Sequence, residues 1–162
     1  SSYYLTCDRV NGVLTVYTDS TMRIPIKTIR VSVGKAGTET PTGTWTMHRA
    51  GRWQELMGPS WGQYGSWVVG GIYVHSVACS EMNDHNLPVG EYLRLGNPAS
   101  HGCIRACVAD AKWVWDNCNG SKIHIFDGTY TSNEALKGPL GRKALTPLRG
   151  SKNFDPTDPA CK

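Results

Sequence analysis

Short apolar segments separated by turn-forming residues characterise the first 127 positions of the chain. Residues 3–7 and 13–17 carry β-forming side chains on either side of Asn11-Gly12, a pair that strongly favours a hairpin turn. Further strands are predicted in the apolar segments that follow, at 24–33, 45–48, 68–74 and 123–126. The pattern indicates a mainly β domain with short strands and Gly/Pro-rich turns.

One segment has helical rather than strand periodicity. Residues 108–116 place apolar side chains three and four positions apart, so that one face is apolar: Val108, Ala111, Val114 and Trp115. Cys103 lies shortly before this helix in the sequence. We therefore expect the partial positive charge of the helix N-terminus to favour its thiolate form.

Four segments have the composition of loops or extensions. Residues 34–43 are rich in Gly, Thr and Pro, and residues 50–66 are rich in Gly and aromatics. The aromatics either form the floor of a substrate groove or bury against the sheet. Residues 77–99 form a connection long enough to suggest a functional loop. We predict one domain at 1–127, with residues 128–162 as an extension packed on it.

Composition limits the possible function classes. The chain has 162 residues and a net charge of +4, which suits one domain with a proper core. Its basic residues are scattered, so we expect no nucleic-acid partner. No apolar run reaches the ~18–20 residues of a membrane span, and no signal-peptide pattern is present.

Residues 100–105, Ser-His-Gly-Cys-Ile-Arg, bring a hydroxyl, an imidazole, a thiol and a guanidinium group together within six positions. The thiolate of Cys103 would be a strong nucleophile at neutral pH, and Gly102 permits a tight turn that a substrate carbonyl can approach. Backbone amides beside Cys103 could stabilise an oxyanion. An apolar strand ends at His75, so a Cys/His nucleophile pair is predicted.

These residues resemble the L,D-transpeptidase family with the YkuD-type catalytic domain. The family signature is a His, a variable gap, then Ser/Thr-(His)-Gly-Cys, a hydrophobic residue and Arg or Asn. Here it reads His75-Ser76 followed by residues 100–105. Residues 34–45, from Gly34 to Trp45, match the family's Gly…Thr-Pro-Thr-Gly-Thr-aromatic segment.

The resemblance implies a β-sandwich with one helix after the nucleophile cysteine. It implies acyl transfer on peptidoglycan stem peptides: a tetrapeptide donor loses its terminal D-alanine, and an acceptor amine completes a 3→3 cross-link. The implied partners are peptidoglycan stem peptides and β-lactam inhibitors such as carbapenems. No metal or organic cofactor is expected. The expected protein is an extracytoplasmic, cell-wall-associated or secreted bacterial monomer.

Residue roles follow from the same resemblance. Cys103 is the expected nucleophile, His75 the general base and acid, and the backbone carbonyl of Ser76 holds the imidazole tautomer. Oxyanion stabilisation and substrate binding are expected from nearby groups: Tyr73, Ser100, His101, Gly102 and Arg105. Amides near residues 101–103 would form the oxyanion hole, and Arg105 would bind substrate or brace the loop.

Two alternatives remain open at this stage. Attack of water instead of an amine would give a carboxypeptidase or cysteine hydrolase, and the sequence does not separate these reactions. A non-catalytic wall-binding module is the other alternative. His101 is a rival base, but residues i and i+2 on a tight turn point apart, which favours His75.

Six cysteines are present: Cys7, Cys79, Cys103, Cys107, Cys118 and Cys161. Their spacing does not suit zinc. We expect at least one disulfide that excludes Cys103, and Cys79, Cys7 and Cys161 are the available partners for Cys107. Cys107 and Cys118 flank the predicted helix and would lie about 16 Å apart, too far for a bond.

Overall fold

The computed structural model describes residues 3–150 and 152–161. One sheet contains five strands: β1 (Tyr4–Asp8), β2 (Val13–Tyr17), β3 (Pro25–Arg30), β4 (Gly43–Thr46) and β11 (Lys122–Phe126). Their order is β3-β2-β1-β11-β4. Strands β1 and β11 run parallel, whereas the other neighbours are antiparallel.

A second sheet has the order β10-β9-β8-β5. Its strands are β5 (His48–Arg49), β8 (Ser66–Val69), β9 (Ile72–Ser76) and β10 (Ile104–Ala106). A separate hairpin pairs β6 (Trp53–Leu56) with β7 (Ser60–Gln63). One apolar core contains buried side chains from both sheets, such as Leu14 and Val74. The predicted mainly β sandwich is confirmed.

Two segments differ from the sequence prediction. The apolar stretch 68–74 is divided between β8 and β9, because Gly70 adopts a left-handed φ of 53° and turns the chain. The pattern of apolar residues continues across that turn and so hides it. Residues 50–66 contain the β6–β7 hairpin, not an irregular loop.

The structure contains two α-helices within the described residues. Helix α2 (Val108–Asn117) confirms the predicted helix, with Ala111 and Val114 buried. Helix α1 (Val89–Leu93) is a short element inside the long connection and was not predicted. Strand β10 intervenes between Cys103 and α2. Cys103 thus precedes α2 in the chain, as expected, but β10 and Cys107 lie between them.

The start of α2 is capped by the C-terminal segment. Cys107 occupies the N-cap position and makes no side-chain cap hydrogen bond. Instead, Asp155 Oδ2 accepts from the Val108 amide at 2.9 Å, and Thr157 Oγ1 accepts from the Ala109 amide at 3.0 Å. Two of the unsatisfied donors at the helix start thus find partners about 48 residues away.

All six cysteines are free, so the expectation of a disulfide is not met. Cys7 and Cys118 are buried in the apolar core, where a thiol packs as a small hydrophobic group. Cys107 Sγ donates to Asp110 Oδ2 at 3.1 Å, and Cys79 Sγ donates to the Val77 carbonyl at 3.7 Å.

No helix in residues 3–150 and 152–161 is long and apolar enough to cross a membrane.

We predict that Asp155→Ala lowers the free energy of unfolding by about 1–2 kcal/mol, the usual cost of losing a helix cap. The Val108 amide would remain buried without its acceptor. Urea denaturation measures the change. Asp116→Ala is the matched control, since it removes a 40% exposed carboxylate from the other end of α2 and should cost less than about 0.5 kcal/mol. Equal effects of the two substitutions would contradict the capping role.

Candidate functional site

A cavity of about 350 Å³ lies between the β6–β7 hairpin and the second sheet. Its lining combines hairpin residues with residues of β9, β10 and the turn before β10: Glu55, Leu56, Met57, Ser60, Gly71, Tyr73, His75, Ala78, Ser100, His101, Cys103 and Arg105. Among the eight site residues expected from the sequence, Gly102 and Ser76 are absent from this lining. The volume falls in the usual range of small-molecule sites.

The pairing of β9 with β10 brings the predicted nucleophile and base together. These strands run parallel with Arg105 opposite His75 and Ile104 opposite Val74. Cys103 therefore lies level with Tyr73, two residues before His75. Because side chains alternate along a strand, Tyr73 and His75 share one face. Cys103 and His75 consequently border the same cavity.

His75 is held as a neutral imidazole. His75 is 2% exposed, and its Nδ1 contacts the Ser76 carbonyl, which can only accept, so Nδ1 carries the proton. The predicted contact with Ser76 is present. The pKa of His75 is lowered to about 4, mainly by burial and also by the nearby Arg105 charge, while the Ser76 contact opposes the shift. Its Nε2 atom is therefore left as a proton acceptor at neutral pH.

Cys103 is a thiol rather than a thiolate at rest. Partial burial raises its pKa, against smaller opposing effects of the Tyr73 backbone amide and the Arg105 charge. Its Sγ atom lies 3.4 Å from the Gly71 carbonyl. The expected thiolate stabilised by a helix is thus replaced by a neutral thiol near a neutral imidazole.

Two residues assigned to substrate contact are engaged inside the turn. Ser100 Oγ donates to the Cys103 carbonyl at 2.6 Å and accepts from the Gly102 amide at 3.1 Å. Neither the Ser100 hydroxyl nor the Gly102 amide is therefore available to an oxyanion. Gly102 has φ +127°, which favours glycine, and an added Cβ would lie 2.9 Å from Ile72 Cδ1.

The Thr-rich segment 34–43 holds this turn from the other side. Thr40 is fully buried, and its Oγ1 donates to the Gly102 carbonyl at 2.6 Å while accepting from the Gly34 amide at 2.9 Å. Thr38 Oγ1 donates to the Ser100 carbonyl at 3.0 Å. Both threonines belong to the segment 34–45 that carries the family resemblance. The sequence did not predict that their hydroxyl groups hold the turn at 100–103.

Arg105 is braced by a residue that the sequence did not identify. Its Nη1 lies 2.9 Å from Glu91 Oε2, and the Arg105 side chain is 13% exposed. Glu91 belongs to α1, the helix that was not predicted. His101, the rival base, lines the cavity on its exposed side.

Gly62 in β7 lies against the His75 ring. An added Cβ would be 2.6 Å from His75 Nδ1 and 2.8 Å from its Cγ. The neighbouring Gln63 amide donates to Ser76 Oγ at 2.8 Å. The hairpin therefore packs against both His75 and Ser76. No local sequence signal marks Gly62, since the contact spans 13 positions.

A group of possible metal ligands lies outside the cavity lining. Asp84, His85 and Cys161 place one ligand atom each within 4.8 Å of one another, the only such group among the described residues. His85 Nδ1 is already hydrogen-bonded to Asp84 Oδ1 at 2.7 Å.

Comparison with known proteins gives a consistent set of relatives. A family model described as the L,D-transpeptidase catalytic domain (YkuD) matches residues 2–129. A Bacillus subtilis (strain 168) protein named "Putative L,D-transpeptidase YciB" is 36% identical over 99 residues, covering 57% of this chain and 50% of that protein.

Solved structures show the same fold. An L,D-transpeptidase from Mycobacterium tuberculosis H37Rv gives a TM-score of 0.61 at 20% identity, covering 78% of this chain and 58% of that one. The L,D-transpeptidase LdtMt1, solved in complex with imipenem, gives a TM-score of 0.60 at 20% identity, covering 77% of this chain and 59% of that one. The chain thus spans between one half and three fifths of the relatives that it matches.

We predict that the His75 imidazole titrates with a midpoint of about 4 in the folded protein, well below the ordinary histidine value. NMR titration of the ring measures this midpoint, and the His75→Gln spectrum identifies the signal. Because the unfolded chain takes up this proton at about pH 6.5, His75 costs the fold stability as pH falls from about 6.5 towards 4. A midpoint at or above 6.5 would contradict the buried neutral state.

Proposed function

The chain belongs to the L,D-transpeptidase catalytic domain (YkuD) family, and from that premise we propose that it forms 3→3 cross-links between peptidoglycan stems through an acyl-enzyme on Cys103. The observation that supports the proposal most strongly is the arrangement of the Cys103 thiol and the His75 imidazole. Cys103 and a neutral His75 border one cavity, and the Ser76 carbonyl fixes the His75 tautomer.

The first step acylates the enzyme. The Cys103 sulfur attacks the carbonyl carbon of the donor's third residue while its proton passes to His75 Nε2. The tetrahedral intermediate then collapses, the bond to the terminal D-alanine breaks, and His75 returns the proton to the departing amine. Because the Cys103 thiol is protonated at rest, the base must act together with the attack.

The second step transfers the acyl group. The acceptor amine attacks the thioester carbon, His75 takes the amine proton, and the thiolate leaves and is reprotonated. The oxyanion of each step needs donors near Cys103. The Gly102 amide is engaged with Ser100, which leaves the amides of His101 and Cys103 for this role.

Arg105 serves this chemistry by bracing the turn. Its guanidinium is held by Glu91 on one side, and its backbone pairs with Ser32. Arg105 follows the nucleophile by two residues, so this anchorage limits movement of Cys103. The positive charge also disfavours protonation of His75 and thereby keeps the base available.

The relatives support two further parts of the proposal. LdtMt1 was solved in complex with imipenem, which supports β-lactams as ligands of this chain. Peptidoglycan lies outside the cytoplasmic membrane, so we place the working enzyme in an extracytoplasmic, wall-associated or secreted location.

Cys103→Ala should abolish adduct formation and transfer while the protein remains folded, because Cys103 supplies the covalent bond and little core volume. Intact-mass spectrometry after incubation with imipenem, or with a tetrapeptide donor, measures the adduct. Wild type should gain one drug or acyl equivalent, and the variant none. Cys161→Ala is the control and should retain the adduct, because Cys161 lies outside the cavity lining.

The fate of the acyl group separates the candidate reactions. Cross-linked product that depends on an added acceptor amine supports the transpeptidase. Equal donor consumption with and without the amine would indicate a carboxypeptidase instead. Adduct formation on Cys103→Ala would overturn the assignment of the nucleophile.

Gly62→Ala should slow acylation of Cys103 by imipenem by about 10²-fold, the order expected when a catalytic group is displaced by about 1 Å. The new Cβ would meet His75 Nδ1 at 2.6 Å and force the ring to move. Stopped-flow kinetics measures the rate, and the His75 ring signals should shift as well. Gly90→Ala is the control, since an added Cβ there meets nothing within 4 Å. A rate for Gly62→Ala within about threefold of wild type would contradict the positioning role.

A further inference from the structure

The long connection 77–99 and the C-terminal segment meet at three side chains that have the chemistry of metal ligands. Asp84 and His85 lie in the connection, and Cys161 lies in the C-terminal segment. One ligand atom from each lies within 4.8 Å of the other two. Carboxylate oxygen, imidazole nitrogen and thiolate sulfur are the ligand types that bind zinc in proteins. The spacing of the cysteines does not reveal this group, because Asp84 and Cys161 are 77 positions apart.

The three ligand atoms are close to the arrangement that a zinc ion requires. Tetrahedral zinc with bonds of about 2.0–2.3 Å holds its ligand atoms about 3.3–3.8 Å apart. His85 Nδ1 lies 2.7 Å from Asp84 Oδ1, and Cys161 Sγ lies 4.0 Å from the Asp84 carbonyl oxygen. Side-chain rotations that move each ligand atom by about 1 Å would therefore fill three of the four tetrahedral positions.

Contacts between the two segments hold the ligands in place without an ion. The Leu87 amide donates to the Asn153 carbonyl at 2.9 Å, and Asn153 Nδ2 donates to the His85 carbonyl. The ring centroids of His85 and Phe154 are 5.4 Å apart. The two segments are thus joined before any metal binds, so little chain entropy remains to be lost on binding.

The surroundings of these ligands carry negative charge without a lysine or arginine partner. Asp84 and Asp158 act electrostatically on the Cys161 thiol. The same two aspartates and Asp155 act on the Cys79 thiol. Within residues 3–150 and 152–161, no lysine or arginine forms an ion pair with any of these three aspartates. Coulomb attraction therefore favours a divalent cation in this region.

We propose that Asp84, His85 and Cys161 bind one zinc ion, with water as the fourth ligand. The thiolate and the imidazole select zinc over Mg²⁺ and Ca²⁺, which prefer oxygen ligands. Binding releases the proton of the Cys161 thiol to solvent, and the sulfur donates an electron pair to the ion. None of the three ligands lines the cavity of Cys103 and His75. The ion is therefore structural and takes no part in the proposed acyl transfer.

A zinc ion at this position would stabilise the segment that supports the hairpin beside the base. Cys79, near the start of the same connection, pairs with Trp61 through two backbone hydrogen bonds of 2.7 and 2.8 Å. Trp61 precedes Gly62, which lies against the His75 ring. A bridge from the connection to the C-terminal segment thus restrains the chain on which this hairpin packs.

Metal titration of the intact chain tests the proposal. The reduced protein is stripped with a chelator, desalted and titrated with Zn²⁺ by calorimetry, and elemental analysis gives the stoichiometry. Wild type should bind one ion. Its unfolding temperature should rise by about 5–10 °C when free zinc exceeds the Kd about 100-fold, whereas Mg²⁺ should cause no rise. Co²⁺ in place of zinc should give the charge-transfer absorption of a metal–thiolate bond.

Single substitutions identify the ligands. Cys161→Ser should remove the metal–thiolate absorption, and both Cys161→Ser and His85→Gln should lose the zinc-dependent rise in unfolding temperature. In chelator, His85→Gln should unfold within about 2 °C of wild type, which shows that the variant is folded. His48→Gln is the matched control, since it replaces another exposed histidine, and it should bind zinc as wild type does. Cys103→Ala should also bind zinc, because the Cys103 thiol is not a ligand.

Four results would overturn the zinc site. The first is the absence of stoichiometric zinc on wild type. The second is retention of the ion by Cys161→Ser or His85→Gln, and the third is its loss from Cys103→Ala or His48→Gln, since either would place the ion elsewhere. The fourth is a disulfide that consumes Cys161 in the purified protein, which non-reducing peptide mapping detects. Acyl transfer is measured separately through the adduct on Cys103, so failure of the zinc site leaves the proposed function standing.

Discussion

The parallel pairing of β9 with β10 is the constraint on which the site depends. These strands are separated by 27 residues of chain, from 77 to 103, yet their register sets Arg105 opposite His75. The register therefore fixes the position of Cys103 beside Tyr73. A slip of one residue would turn the imidazole to the other face of the sheet. The turn before β10 is held against such a slip by the hydroxyl groups of Ser100 and Thr40.

Burial determines the protonation state of the reacting groups. Desolvation disfavours charge on both partners, so it raises the pKa of Cys103 and lowers that of His75. A thiolate–imidazolium pair is therefore not the resting state. In the proposed reaction, Cys103 gains its charge only as its proton moves to His75, which would limit reactions of a free thiolate with other electrophiles.

Segments distant in the chain complete the site. The β6–β7 hairpin supplies Gly62, the helix α1 supplies Glu91, and the C-terminal segment caps α2 through Asp155. Each of these contacts is a hydrogen bond or close approach whose partner lies elsewhere in the sequence. Strands β9 and β10 thus depend on surrounding elements for their geometry, because buried polar groups must find hydrogen-bond partners in whichever segment is near.

Local patterns in the amino-acid sequence were enough to predict the fold class and the helix α2, and they drew attention to residues 100–105. These predictions succeed because β-forming segments, helical periodicity and a compact Ser-His-Gly-Cys-Ile-Arg stretch are local signals. The segments that were predicted wrongly have the same cause, because a signal formed by neighbouring residues does not report what lies across the fold. An apolar run hid the turn at Gly70, and the closeness of Cys103 to α2 in sequence gave no sign that β10 lies between them. The engagement of the Gly102 amide and the contact of Gly62 with His75 became visible only in three dimensions, because burial and contacts across the fold depend on residues far apart in the chain.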